Sequence, residues 1–102
     1  MQYHAYRNGS NSKEYPYLID VQSDLIDLLE TRMVIPLVPL AYAQHQVPVR
    51  ISPIIDIEGD SFILMTSEMA SVPLSILKEQ ICSVENQRQV IKDAVDFLFD
   101  GF

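Results

Sequence analysis

Residues 83–102 read SVENQRQVIKDAVDFLFDGF. Counted from Ile91, apolar side chains return at Ala94, Val95, Leu98 and Phe102, with Val84 upstream and polar residues in most of the gaps. That spacing is one apolar stripe on an α-helix. The Ser83 hydroxyl can cap the first turn, Glu85 suits the positive end of the helix dipole, and Gly101 supplies the backbone freedom that commonly stops a helix. Phe97 and Phe99 fall off the stripe. The helix therefore has more apolar surface than one packing face uses, and it can lie across a sheet while presenting a ring to something else.

The segments ahead of the helix read as strands. The clearest hairpin is residues 54–57 and 61–66 around Glu58-Gly59-Asp60, two β-rich runs about a glycine turn. Residues 67–70 make one helical turn, and 71–73 with 74–77 give a last short extended piece. MVIPL at 33–37 has the continuous apolar character of a central strand, with Pro36 limiting its ladder at one end. Residues 2–6 and 15–21 are two strands joined by the polar loop 7–14, marked by Asn8-Gly9; Tyr17, Ile19 and Val21 share one face and Leu18 and Asp20 the other. Residues 22–32, QSDLIDLLETR, fit a buried helical turn capped by Ser23, the preferred reading, or a loop offering apolar side chains outward. Residues 38–53 form a long connection with three prolines and a brief strand at 49–51. The sum is five or six short strands and one long terminal helix, a mainly β (α+β) chain forming a single domain over 1–102.

Composition narrows the function. Hydrophobic content of 48 % and charged content of 21 % belong to a folded chain, and 14 acidic against 7 basic residues give a net charge of −7. Such a chain repels phosphates and is poorly suited to direct nucleic-acid binding. One cysteine, Cys82, excludes an internal disulfide framework and fits a reducing compartment; it reads as a small structural residue. No apolar run approaches a membrane span, and the expected location is the cytoplasm.

Catalytic chemistry has little support. His4 and His45 stand apart, with no ligand at metal spacing from either. Asp56, Glu58 and Asp60 suggest calcium, yet the glycine falls too early for an EF-hand and the closing glutamate is missing. A ribonuclease would need a cation near a proton-transfer group, and the spacing of Asp20, Arg32 and Arg50 does not bring them together. Met33, Met65 and Met69 read as core filler. No cofactor or metal is expected.

Three segments, IDVQSDLID at 19–27, RMVIPL at 32–37 and MTSEMASVP at 65–73, together with the closing helix, resemble the landmarks of the CcdB family in the same order and over essentially the whole chain. The resemblance implies a CcdB/MazF-like fold: a twisted antiparallel sheet of SH3-like barrel type, a small second sheet and the C-terminal helix across it, in a homodimer. It implies the toxin of a type II toxin–antitoxin module of the plasmid-maintenance kind. Such a toxin is no enzyme but a topoisomerase poison: it binds the DNA gyrase A subunit and traps gyrase on cleaved DNA, and a CcdA-like antitoxin with a disordered tail neutralises it. Carried over by position, the gyrase-binding residues are Leu25, Ile26, Asp96, Phe99, Asp100, Gly101 and Phe102. The family carries a tryptophan before the matched glycine, stacked on a gyrase arginine, where this chain has Asp100. Phe102 replaces a usual aliphatic end. The alternative is a CcdB-fold protein that binds antitoxin but has lost gyrase poisoning with that tryptophan. Antitoxin contact is expected on the loops 7–14 and 38–53.

Overall fold

The computed structural model describes residues 1–10, 12–26, 28–42 and 48–101, Ile26 by its backbone alone. The expected helix is present as α1, Arg88–Asp100, preceded by a 3-10 turn at Glu85–Gln87. The Ser83 hydroxyl accepts the Glu85 N–H at 3.2 Å, but the expected cap does not form: the N-cap positions are Val84 for the 3-10 turn and Gln87 for α1, and neither makes a side-chain cap hydrogen bond. Ile91 and Ala94 are buried and Val95 packs partly beside them. Gly101 closes the helix in the left-handed conformation at φ 78°, its N–H donating to the Phe97 carbonyl at 2.9 Å.

The strands are β1 His4–Asn8, β2 Tyr17–Asp20, β3 Thr31–Pro39, β4 Ile54–Ile57, β5 Asp60–Leu64, β6 Ala70–Pro73 and β7 Leu77–Ser83. They form one antiparallel sheet in the order β4-β5-β3-β2-β1-β7, with β6 also on β3. The sheet is curled into a half-barrel. Its inner face meets α1 around Ala5, Ile19, Ile35, Leu37, Ile55, Phe62, Val84, Ile91 and Ala94, with Tyr17 and Val21 packed against that core as the alternation of β2 requires. The Tyr17 and Phe62 rings meet edge to face at 5.2 Å.

β3 runs beyond the expected 33–37, and Pro36 lies inside it. Its residues 31–34 pair with β6 and 37–39 with β5, so the proline, which has no N–H for a ladder, falls where the partner changes. The Pro36 carbonyl accepts the Met65 N–H at that point. The smaller layer formed by β6 is thus continuous with the main sheet through β3. In the β4–β5 hairpin Asp60 pairs with Ile57, leaving a two-residue turn, Glu58-Gly59, with φ of 51° and 91°. This is shorter than the three-residue turn expected and has the positive φ values of a type I′ turn.

Three expectations are corrected. Residues 49–51 are a turn, because the Ile51 and Ser52 N–H groups both donate to the Pro48 carbonyl. Residues 74–76 are a 3-10 turn rather than extended chain. β7 is a seven-residue strand where the sequence suggested little beyond Leu77; its pairing with β1 shifts register at Ala5/Tyr6 and Tyr6/Asn8, and these irregularities break the alternation that would have marked it.

Candidate functional site

The connection from β2 to β3 turns back over Asp24–Ile26, where the Leu25 N–H donates to the Ser23 hydroxyl at 3.2 Å. The preferred buried reading of this segment is overturned: Leu25 and Leu28 are each 95 % exposed, and Leu29 is also exposed. The reason is that the polar side chains take the inward anchoring positions. Arg32, 4 % exposed, donates from Nε to Asp20 Oδ2 at 2.8 Å and from Nη2 to the Gln22 carbonyl at 2.9 Å and Asp24 Oδ1 at 3.0 Å. Asp24 also accepts the Gln2 N–H, and Asp20 Oδ1 accepts that of Gln22. With Asp20 and Arg32 turned in and the chain at Gln22 and Asp24 tied to them, the leucines are left outside.

Arg32 and Asp24 shift in opposite directions, each toward its charged form. Desolvation acts to lower the Arg32 pKa, but the hydrogen bonds and charges of Asp20 and Asp24 outweigh it and raise the value above that of a free guanidinium. Desolvation acts to raise the Asp24 pKa, and the Gln2 N–H and Arg32 outweigh it and hold that carboxyl below its ordinary range. Asp20 and Arg32 therefore do meet, contrary to their spacing in sequence. They meet as a buried ion pair, so the guanidinium is already engaged and poorly placed to receive a phosphorane. Arg50 lies elsewhere, its guanidinium 4.4 Å from the centre of the Phe97 ring. The three residues weighed for ribonuclease chemistry thus stand as one ion pair, Asp20–Arg32, and one separate cation, Arg50.

Beside the 22–30 loop, an apolar groove of about 460 Å³ runs between α1 and the sheet. Tyr3, Val21, Met33, Met69, Val95 and Phe99 line it, with Ser23, Lys92 and Asp96 at its margins. Phe99 is 69 % exposed. Asp96, Asp100 and Gly101 are exposed along the same end of the helix, and the last turn holds no basic residue. Of the residues carried over by resemblance, Asp96 and Phe99 line the groove, Leu25 stands on the neighbouring loop, and Asp100 and Gly101 sit at the helix tip. The Ile26 side chain and Phe102 lie outside the described residues, as does His45.

Sequence reasoning missed Tyr3, Met33 and Met69 as groove residues. Two of the three methionines read as core filler line this surface, where their flexible side chains suit adaptable contacts. Tyr3 had no local signal. It adopts φ 57°, rare for a non-glycine residue, fixed by its N–H on the Asp20 carbonyl and by the Val84 N–H on its own carbonyl, each at 2.7 Å. Burial, then the charge of Glu85, raise its phenol pKa.

Other chemistry is sparse. His4 Nδ1 lies 3.0 Å from the Gln2 carbonyl. Burial, then Glu58, raise the Cys82 thiol pKa, which is the opposite of activation. Among the described residues no three His, Cys, Asp or Glu side chains gather as metal ligands, and no helix is long and apolar enough to cross a membrane. The surface thus combines an exposed ring, Phe99, with an apolar groove edged by Lys92 and Asp96, and exposed Leu25 on the adjoining loop. The family model for the CcdB protein matches residues 2–101, nearly the whole of this curled sheet and its closing helix, and the chain belongs to the CcdB family.

Proposed function

We propose that this CcdB-family toxin is a gyrase poison. As a cytoplasmic homodimer, it binds the DNA gyrase A subunit through the helix end and the 22–30 loop and traps gyrase on cleaved DNA. A CcdA-like antitoxin neutralises it, contacting the 7–14 and 38–53 loops. The chain performs no catalysis in this reading, since the cleavage chemistry is gyrase's own.

The observation that carries the reading is Phe99, left 69 % exposed by a helix whose packing face is already buried. An exposed ring at an apolar groove, with Leu25 exposed on the adjoining loop, has the makeup of a hot spot, and a two-fold axis would double it. Asp100 modifies the contact. A carboxylate at the negative end of a helix dipole is unfavourably placed, and a partner arginine would turn it into a two-pronged, charge-assisted contact in place of aromatic stacking. Binding of this kind weakens as salt rises.

The test is a cleavage assay with purified protein, gyrase, ATP and supercoiled plasmid, scored for linear DNA after the enzyme is denatured. Linear product that depends on this protein is expected. Asp100 itself favours a second reading, a protein that binds antitoxin but no longer poisons. Absence of linear product well above micromolar concentration, with a folded dimer in the same sample, would select it.

A further inference from the structure

We propose that Arg32 is a positioning residue for partner binding: its buried guanidinium fixes the 22–30 loop, through Gln22 and Asp24, in the form that holds Leu25 outward. The inference rests on the docking reading above and deepens it.

Among its described residues the loop has one 3-10 turn, Asp24–Ile26, and otherwise depends on side-chain ties for its shape. Arg32 makes three of them, to Asp20 Oδ2, the Gln22 carbonyl and Asp24 Oδ1. Around this fork, Gln22 donates its N–H to Asp20 Oδ1 at 3.0 Å and accepts the Met33 N–H on Oε1 at 2.9 Å, while Asp24 accepts the Gln2 N–H at 3.1 Å. The network thus joins the start of β3, the end of β2 and the N-terminal segment to a single guanidinium. Asp20 is fully buried and Arg32 nearly so, which shields the bond between these two, while Asp24 stands half exposed at the outer end of the fork.

A buried ion pair is weak support for stability alone, since a well-packed apolar pair commonly does as well. An apolar pair could not hold a carbonyl and a second carboxylate in fixed directions, whereas the planar fork of arginine can. The consequence falls on Leu25. Its conformation is set on folding, so less order has to be imposed when a partner docks, and a preorganised contact binds more tightly for the same area.

The test uses the full chain in two variants, Arg32→Lys and Asp24→Ala, with two readouts. The first is amide exchange at Gln22 and Met33, whose N–H groups donate into the network, against exchange in β1, β2 and β5. The second is titration with purified gyrase A subunit. In both variants the Gln22 and Met33 amides are expected to exchange about tenfold faster while the strands keep their protection, and affinity is expected to fall about tenfold, mainly through faster dissociation. A merely structural Arg32 would raise exchange throughout, and that result overturns the proposal. So does a loosened loop with unchanged affinity. If Arg32→Lys fails to fold, Asp24→Ala decides, because it leaves the Asp20–Arg32 pair in place. If the unmodified protein does not bind the gyrase A subunit, the proposed function fails and exchange alone decides: faster Gln22 and Met33 amides uphold the positioning role, and unchanged amides overturn it.

Discussion

Truncating Phe99 to alanine removes a ring that is 69 % exposed in the folded chain, so folding loses little by it. Stability should change by no more than about 0.5 kcal/mol, whereas a hot-spot ring typically contributes about 2 kcal/mol, roughly thirtyfold in gyrase affinity. Urea unfolding beside calorimetric titration separates the two, and a large loss of stability would make Phe99 core rather than contact. Gly101 answers to backbone strain. A Cβ there would meet no atom within 4 Å, so the φ of 78° alone penalises other residues. Gly101→Ala should lower stability by about 1 kcal/mol and Gly101→Asn by less. A bulky charge such as Gly101→Arg mixes this strain with any lost contact. Its binding defect is therefore meaningful only beside the asparagine variant.

The β4–β5 hairpin asks for positive φ at both central positions, and Glu58 supplies it at 51° against its preference. Glu58→Asn should raise stability by about 0.5–1 kcal/mol in a thermal melt. An unchanged midpoint would mean that the glutamate makes a compensating contact. This hairpin was legible because two β-rich runs flank a glycine, and α1 because its stripe, its length and Gly101 agree. β7 was not, because its bulged pairing with β1 removes alternation. The outward set of Leu25 was only the second reading of its segment for a different reason: Arg32 becomes a buried anchor only when β2 and β3 pair with Asp20 opposite Val34. The groove shows the same division, since Phe99 and Asp96 follow from one helix while Tyr3, Met33 and Met69 come from separate segments. The loop also carries an acid signature. The folded Asp24 pKa lies below its ordinary 3.8, so its contribution is present above that value and is lost as pH falls through the lower folded one. Asp24→Asn should flatten stability against pH in that acid window and leave the slope near neutrality unchanged. Asp24 is half exposed, so the effect is small, and an identical acid limb in both proteins would refute the assignment.

The curl of the sheet creates a problem that only the whole molecule resolves. β4 and β7 end the strand path, and an open strand edge is a template for association with other chains. Gln87, in the 3-10 turn shortly after β7, reaches the far end of the path: its side-chain Oε1 accepts the Asp56 N–H and its Nε2 donates to the Asp56 carbonyl, each at 2.9 Å. One primary amide thus imitates the next strand at a single position on β4 and ties the start of the helical segment to the opposite edge of the half-barrel. Both bonds are exposed, so water can replace them, and Gln87→Ala should lower stability by only about 1–2 kcal/mol. The more telling effect is on association, because the variant reopens the β4 edge beside Ile54, itself exposed. Light scattering during partial unfolding should rise earlier and more steeply with concentration in Gln87→Ala than in the parent chain. Gln87→Glu discriminates further: it can still accept the Asp56 N–H, but it loses the donor and sets a carboxylate against the carbonyl, so it should be less stable than the parent yet resist association through charge. If Gln87→Ala matches the parent in both midpoint and scattering, the core alone holds the curl and the amide merely takes the place of water.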